Sequence, residues 1–126
     1  MTAPGKLAAA SLALAVCLCA GGLSGCTAPG KGAKAEAGYS QARPVIAALE
    51  KYRARHNEYP SALRDLVPGD LAQNAWKTPE GKPVDEFFEY TRSGAGYRLQ
   101  FSYTGPGMNR CVYSPEAGKW ECAGFY

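Results

Sequence analysis

The sequence predicts a small α+β domain: one N-terminal amphipathic helix packed on a four-stranded antiparallel sheet. Three observations predict it. Val45, Ile46, Leu49 and Tyr52 recur at helical spacing. Beyond residue 85 the period changes to strict alternation in four stretches, "EFFEYT", "GYRLQFSYT", "MNRCVYS" and "KWECAGFY". The turns between those stretches, paired by simple register arithmetic, gather the apolar side chains on one face.

The helix lies in "YSQARPVIAALEKYRARHNEYP". Pro44 suits a first turn, where its missing N–H leaves nothing unpaired. Lys51, Arg53 and Arg55 crowd the C-terminal half, where cations complement the helix dipole. Asn57 and then Pro60 end it. His56, near that end, is expected to be a solvated charge rather than a ligand, because no second ligand accompanies it. Ser61 is placed to cap a short helix carrying Leu63, Leu66 and Val67, which Pro68-Gly69 breaks. Residues 72–84 read as irregular, with Trp76 as a plug over the core.

The sheet follows from register. If Cys111 faces Cys122, Tyr113 faces Trp120. If "TGPGM" closes the preceding hairpin, Phe101 faces Cys111 and Leu99 faces Tyr113. If "RSGAG" closes the first, Tyr90 faces Tyr97 and Phe88 faces Leu99. One face then collects Phe88, Tyr90, Tyr97, Leu99, Phe101, Cys111, Tyr113, Trp120 and Cys122. The other carries Glu89, Arg98, Gln100, Ser102 and Glu121, with Val112 as an apolar exception. This is the pattern of a half-buried antiparallel meander.

The N-terminal part has a different character. Lys6 is the only charge before residue 31, and an apolar run of 14 residues, "LAAASLALAVCLCA", follows it. The run is too short for a membrane-spanning helix, which needs about 20 residues. A basic start, an apolar middle and small residues at the end describe a secretory signal peptide. Three of the five cysteines, Cys17, Cys19 and Cys26, fall here, without the paired spacing of a structural zinc site. The run ends in Leu23, Ser24, Gly25 and Cys26. This "LSGC" resembles the lipobox of bacterial lipoproteins. The resemblance implies cleavage before Cys26, a diacylglycerol on its thiol and anchorage to a membrane through acyl chains. Each buried CH₂ contributes roughly 0.8 kcal/mol, so two or three chains hold firmly where one binds only marginally. Thr27 stands where an Asp commonly retains such proteins at the inner membrane, so the expected location is the periplasmic face of the outer membrane.

On that reading residues 1–25 are a leader, 26–38 a lipidated N-terminus and flexible tether, and 39–126 the folded domain. The tether "TAPGKGAKAEAG" contains only small, charged or turn-forming residues and would span roughly 20 Å as a coil. Cys111 and Cys122 remain. An even remainder in an oxidising compartment predicts one disulfide between them.

"ALEKYRARHNEYPSALRDLVPGDL" resembles the region after the membrane helix in type II secretion pseudopilins and type IV pilins. Leu49, Tyr52, Tyr59, Pro60, Leu63, Leu66 and Val67 carry the likeness, which extends loosely over residues 43–125. It implies a helix ending at a Tyr-Pro step, a short Leu-rich helix and an antiparallel sheet, and a Cys-closed end also occurs among pilins. The long apolar helix of pilins is replaced by the lipobox, so filament assembly through that helix is not expected. Nor is the calcium loop of the family: Asp65, Asp70 and Asp85 are scattered.

The expected function is a lipid-anchored, non-catalytic envelope protein that presents an interaction domain to a protein partner. No nucleophile–base pair or phosphate-cradling glycine motif supports an enzyme, and no cofactor or metal is implied. The net charge of +3 without a basic run gives nucleic-acid binding no support. The alternative is a small periplasmic inhibitor similar to lysozyme-inhibitor lipoproteins, in which Tyr103, Phe125 and Tyr126 would be exposed to meet a glycan or an enzyme cleft, although burial statistics favour their completing the core or the chain end.

Overall fold

The structure, a computed structural model, describes residues 28–125. A 24-residue helix, α1 (Ala33–His56), is followed by two 3₁₀ turns, Leu63–Leu66 and Gln73–Ala75, and by one helical turn, α2 (Val84–Phe87). Four strands complete the chain: β1 (Glu89–Ser93), β2 (Gly96–Thr104), β3 (Met108–Ser114) and β4 (Lys119–Phe125). They form an antiparallel meander in the order β1-β2-β3-β4. The molecule is therefore α+β, with one long helix on one face of a four-stranded sheet.

The helix starts earlier than its sequence suggests. Ala33 to Gly38, assigned to a flexible tether, form its first turns, and Ala35 and Gly38 are buried. The buried stripe runs Ala35, Gly38, Ala42, Val45 and Leu49, at steps of three and four. Its first half is built from small residues because the helix lies against the sheet there. A Cβ on Gly38 would sit 2.2 Å from Phe101 Cε2. Pro44 is inside the helix rather than in its first turn, and it lies on the exposed side, where a carbonyl left without an N–H partner is solvated. The C-terminus is as expected: Asn57 adopts the left-handed conformation (φ 65°), and its N–H donates to the Arg53 carbonyl.

Beyond the helix, Ser61 is not the cap of the next turn. Ala62 occupies that place, and the Asp65 carboxylate accepts its N–H at 3.3 Å. Leu63, Leu66 and Leu71 are buried, and Trp76 closes the core beneath the irregular segment with 7% exposure. Arg55 pairs with Asp70, which clips the end of α1 to the loop after Pro68-Gly69.

The register of β2 with β3 and of β3 with β4 is the one expected: Leu99 faces Tyr113, Phe101 faces Cys111, Cys111 faces Cys122 and Tyr113 faces Trp120. The first hairpin differs. Tyr90 pairs with Leu99, not Tyr97, because Ser93 pairs with Gly96 across a tight two-residue turn. Gly94 enters that turn at φ 58°, and two-residue turns match the twist of paired strands better than longer ones. The slip is two residues, so every side chain keeps its face. Phe88 is displaced from the strand altogether: it follows α2 and is buried as the chain turns into β1.

Val45, Leu49, Tyr59, Leu66, Trp76, Phe88, Tyr97, Leu99, Phe101 and Cys111 make one continuous core. Each fully buried side chain of this size contributes roughly 1.5–3 kcal/mol. Arg98, Ser102 and Glu121 stand exposed on the opposite face, which no element among the described residues covers.

Candidate functional site: the end where the chain enters

The element order assigns the molecule two ends. At one lie the first turn of α1, the β2–β3 loop (Thr104–Met108) and the last residues of β4, because Met108 pairs with both Thr104 and Phe125. At the other lie the end of α1 and the β1–β2 and β3–β4 turns. The lipobox-like residues Leu23, Ser24, Gly25 and Cys26 fall outside the described residues, as does Thr27. The chain they lead into enters at the first end.

That entry is clasped. A turn closed by Lys31 N–H donating to the Ala28 carbonyl (3.0 Å) presents Gly30 to the sheet. The Gly30 N–H donates to the Tyr103 hydroxyl at 2.8 Å, and the Tyr39 hydroxyl donates to the Gly30 carbonyl at 2.8 Å. Cys111 and Cys122 form the expected disulfide. Their Cα atoms are 4.1 Å apart, the close spacing of a non-hydrogen-bonded antiparallel pair. Cys122 Sγ lies 3.2 Å from the Tyr39 hydroxyl. A Cβ on Gly30 would sit 2.7 Å from that sulfur, and φ there is +83°, so only glycine fits by both space and backbone. Tyr39 is the centre of the clasp. Its ring meets Phe101 edge-on at 5.7 Å and Trp120 at 5.3 Å. Burial, and then the neighbouring Tyr103 and Glu36, push its pKa above the ordinary tyrosine value. The hydroxyl therefore keeps its proton for Gly30.

Lys34 reaches along the helix to donate to the Thr104 carbonyl at 2.5 Å, fastening the β2–β3 loop to the first turn of α1. Met108, at 65% exposure, is the one large apolar side chain left in solvent among the described residues. The outer sheet face carries a shallow open depression of about 640 Å³, lined by Arg98, Arg110, Val112, Glu121 and Ala123 among others.

Other sequence-singled residues have structural settings. His56 stacks on Tyr52, ring centroids 4.1 Å apart, at the opposite end of α1 from the clasp. No group of three His, Cys, Asp or Glu side chains among the described residues could hold a metal. Tyr103 is half-buried, with its ring stacked on Phe101 at 6.2 Å and its hydroxyl on Gly30. It is thus a structural residue rather than an exposed aromatic. Tyr126 and the Phe125 side chain lie outside the described residues. No helix among the described residues is long and apolar enough to cross a membrane. Sequence reasoning missed Gly30, Tyr39 and Tyr103 as a unit; Gly30 and Tyr103 are 73 residues apart and Tyr39 and Cys122 are 83 apart, so no local signal joined them. Compared with protein-family models, curated proteins and solved structures, the chain matches none of them.

Proposed function

We propose that this chain is a bacterial lipoprotein, anchored through acyl chains on Cys26 at the periplasmic face of the outer membrane, whose α+β domain is a non-catalytic interaction module for a protein partner in the envelope. The observation that carries the reading is the clasp. Four residues beyond Cys26, the chain is bolted to a disulfide-stapled sheet. A domain held by its N-terminus at a membrane benefits from such a joint, because the joint fixes which surface faces outward. The far end and the uncovered sheet face, with its depression flanked by Arg98, Arg110 and Glu121, are the surfaces offered to a partner. A pilin-like head is supported by the long helix on the meander, the buried Tyr59-Pro60 step followed by the Leu63–Leu66 turn, and the Cys-closed last hairpin. No cofactor or nucleic acid enters this function.

The test is metabolic labelling with an alkyne fatty acid in a bacterial host, followed by fractionation. The full chain should take the label and sediment with membranes. Cys26→Ala should take none and appear in the soluble fraction. Unchanged fractionation of that variant overturns the anchor. Gentle crosslinking of the anchored protein should trap a protein partner. Recovery of the domain alone overturns the interaction role, and inhibition of lysozyme by the released domain replaces it with an inhibitor.

A further inference from the structure

The end at which the chain enters carries a second message, which rests on the lipid-anchor reading. Gly30 is four residues on from Cys26, and an extended chain of that length reaches at most about 14 Å. Gly30 is immobilised by two hydrogen bonds and by the disulfide behind it. The domain therefore cannot swing away on a long tether; the first turns of α1 use the residues that would have formed one. The β2–β3 loop extends past Tyr103, the residue that holds Gly30, by about 7 Å at strand rise. It points out of the domain at the end where the anchor leaves. The polar headgroup layer is itself only about 5–7 Å deep on each side, from a total of about 40–45 Å around a 30 Å hydrocarbon core.

The chemistry of that end suits a lipid surface. Met108 is exposed on the loop, flexible and apolar, and the rest of the loop is Thr104, Gly105, Pro106 and Gly107. Lys31 and Lys34 are exposed at the same end, with Lys34 directly on the Thr104 carbonyl. Where the chain enters, Lys31 and Lys34 stand against Glu36, the one carboxylate in the first turn of α1. An exposed thioether at the same end as two ammonium groups and short polar backbone matches an interface with anionic headgroups, where the apolar group enters the boundary and lysines meet phosphate.

We propose that the β2–β3 loop, with Met108 at its base, Lys34 on its Thr104 carbonyl and Lys31 at the same end of the domain, lies on an anionic phospholipid surface and sets the orientation of the anchored domain. The far end then points away from the membrane, and the outer sheet face stands to the side, with Met108 at its membrane-proximal edge. Each lysine close to an anionic surface biases the lying state over the lifted one by roughly fivefold.

Met108 makes its own probe. The chain has two methionines, Met1 and Met108, and the first leaves with the leader. Hydrogen peroxide transfers one oxygen atom to an exposed thioether sulfur, giving the sulfoxide, and departs as water. The full lipidated protein is reconstituted in phosphatidylcholine–phosphatidylglycerol vesicles, in pure phosphatidylcholine vesicles and in detergent, and Met108 oxidation is timed by peptide mass spectrometry. Oxidation should be several-fold slower in the anionic vesicles than in detergent, with less protection in neutral ones. Lys31→Glu/Lys34→Glu should remove most of the anionic protection while the lipid label and vesicle retention persist. A labelled, retained protein whose Met108 oxidises at the same rate everywhere overturns this orientation and leaves the anchor standing. Equal protection in neutral and anionic vesicles overturns the role of the lysines. Absence of label and of vesicle retention overturns the anchor, and the orientation with it.

Discussion

The two ends of this domain are held by different means. The entry end is held by a covalent staple and by steric fit. Gly30 and Gly38 accept no Cβ, and the disulfide, Tyr39 and Phe101 close over them. The far end is held by rings. Tyr97 packs against Tyr59 at 4.7 Å, Tyr90 at 5.7 Å and Tyr113 at 6.2 Å. Tyr59 donates to Glu50 at 2.8 Å and Tyr90 to the Pro60 carbonyl at 2.6 Å. Close backbone approach leaves no slack, whereas ring clusters tolerate small shifts. The entry end thus suits a fixed joint, and the far end suits a surface that adapts to a partner.

The largest expected effect separates the ends. Replacing both Cys111 and Cys122 by Ala should cost about 3 kcal/mol, the loop-closure value for a separation of this size, read as a lower urea midpoint. Amide exchange should rise most at Gly30 and Tyr103 and least at Tyr97 and Leu99. A uniform rise would erase the contrast.

Gly38→Ala comes next. Overpacking typically costs 1–3 kcal/mol, and alanine returns roughly 1 through helix propensity. The collision with Phe101 is severe, so a net loss of about 2 kcal/mol is expected in thermal or urea unfolding. A neutral result would mean that α1 lifts from β2 without penalty.

Gly30→Ala should cost about 1–2 kcal/mol from the left-handed backbone and the clash with Cys122. Its signature is local: altered near-ultraviolet circular dichroism from Tyr39 and Trp120, with the far-ultraviolet spectrum intact.

The far end is probed by alkali. Burial, the first cause for both, raises the Tyr90 and Tyr97 pKa values well above the ordinary tyrosine value near 10. The folded state keeps these protons where the unfolded chain loses them. Stability is therefore fully present below about pH 10 and falls as pH rises further. Urea midpoints stepped through that range, with tyrosinate absorbance alongside, should show ionisation and unfolding together. The Tyr97 hydroxyl is buried without a hydrogen-bond partner. Tyr97→Phe should thus be neutral or stabilising by up to about 1 kcal/mol at neutral pH and should blunt the alkaline loss. A marked loss at neutral pH would reveal a hydrogen bond at that hydroxyl.

Much of the sheet was legible because the strand period is two: alternation in β2, β3 and β4 assigned faces, and, with Cys111 set against Cys122 on the count of cysteines, the turns assigned the remaining pairs of β2, β3 and β4. The clasp was not legible, because its parts are 73 and 83 residues apart in the chain and no local pattern joins Gly30 to Tyr103 or Tyr39 to Cys122.

By itself, the sequence determined the α+β class, the end of α1 at Asn57, the apolar face of the meander and the pairing of its last two cysteines. The first three follow from helical and strand periods and from residue-specific backbone preferences, all short-range; the cysteine pairing follows from their even remainder in an oxidising compartment. Only the tertiary structure decided where α1 begins, which register the first hairpin takes and what Gly30, Gly38, Tyr39 and Tyr103 are for. "GKGAKAEAG" has the composition of a linker. Its Gly30 and Gly38 carry no Cβ because a sheet passes close to them, and that constraint comes from Cys122 and Phe101, residues far along the chain.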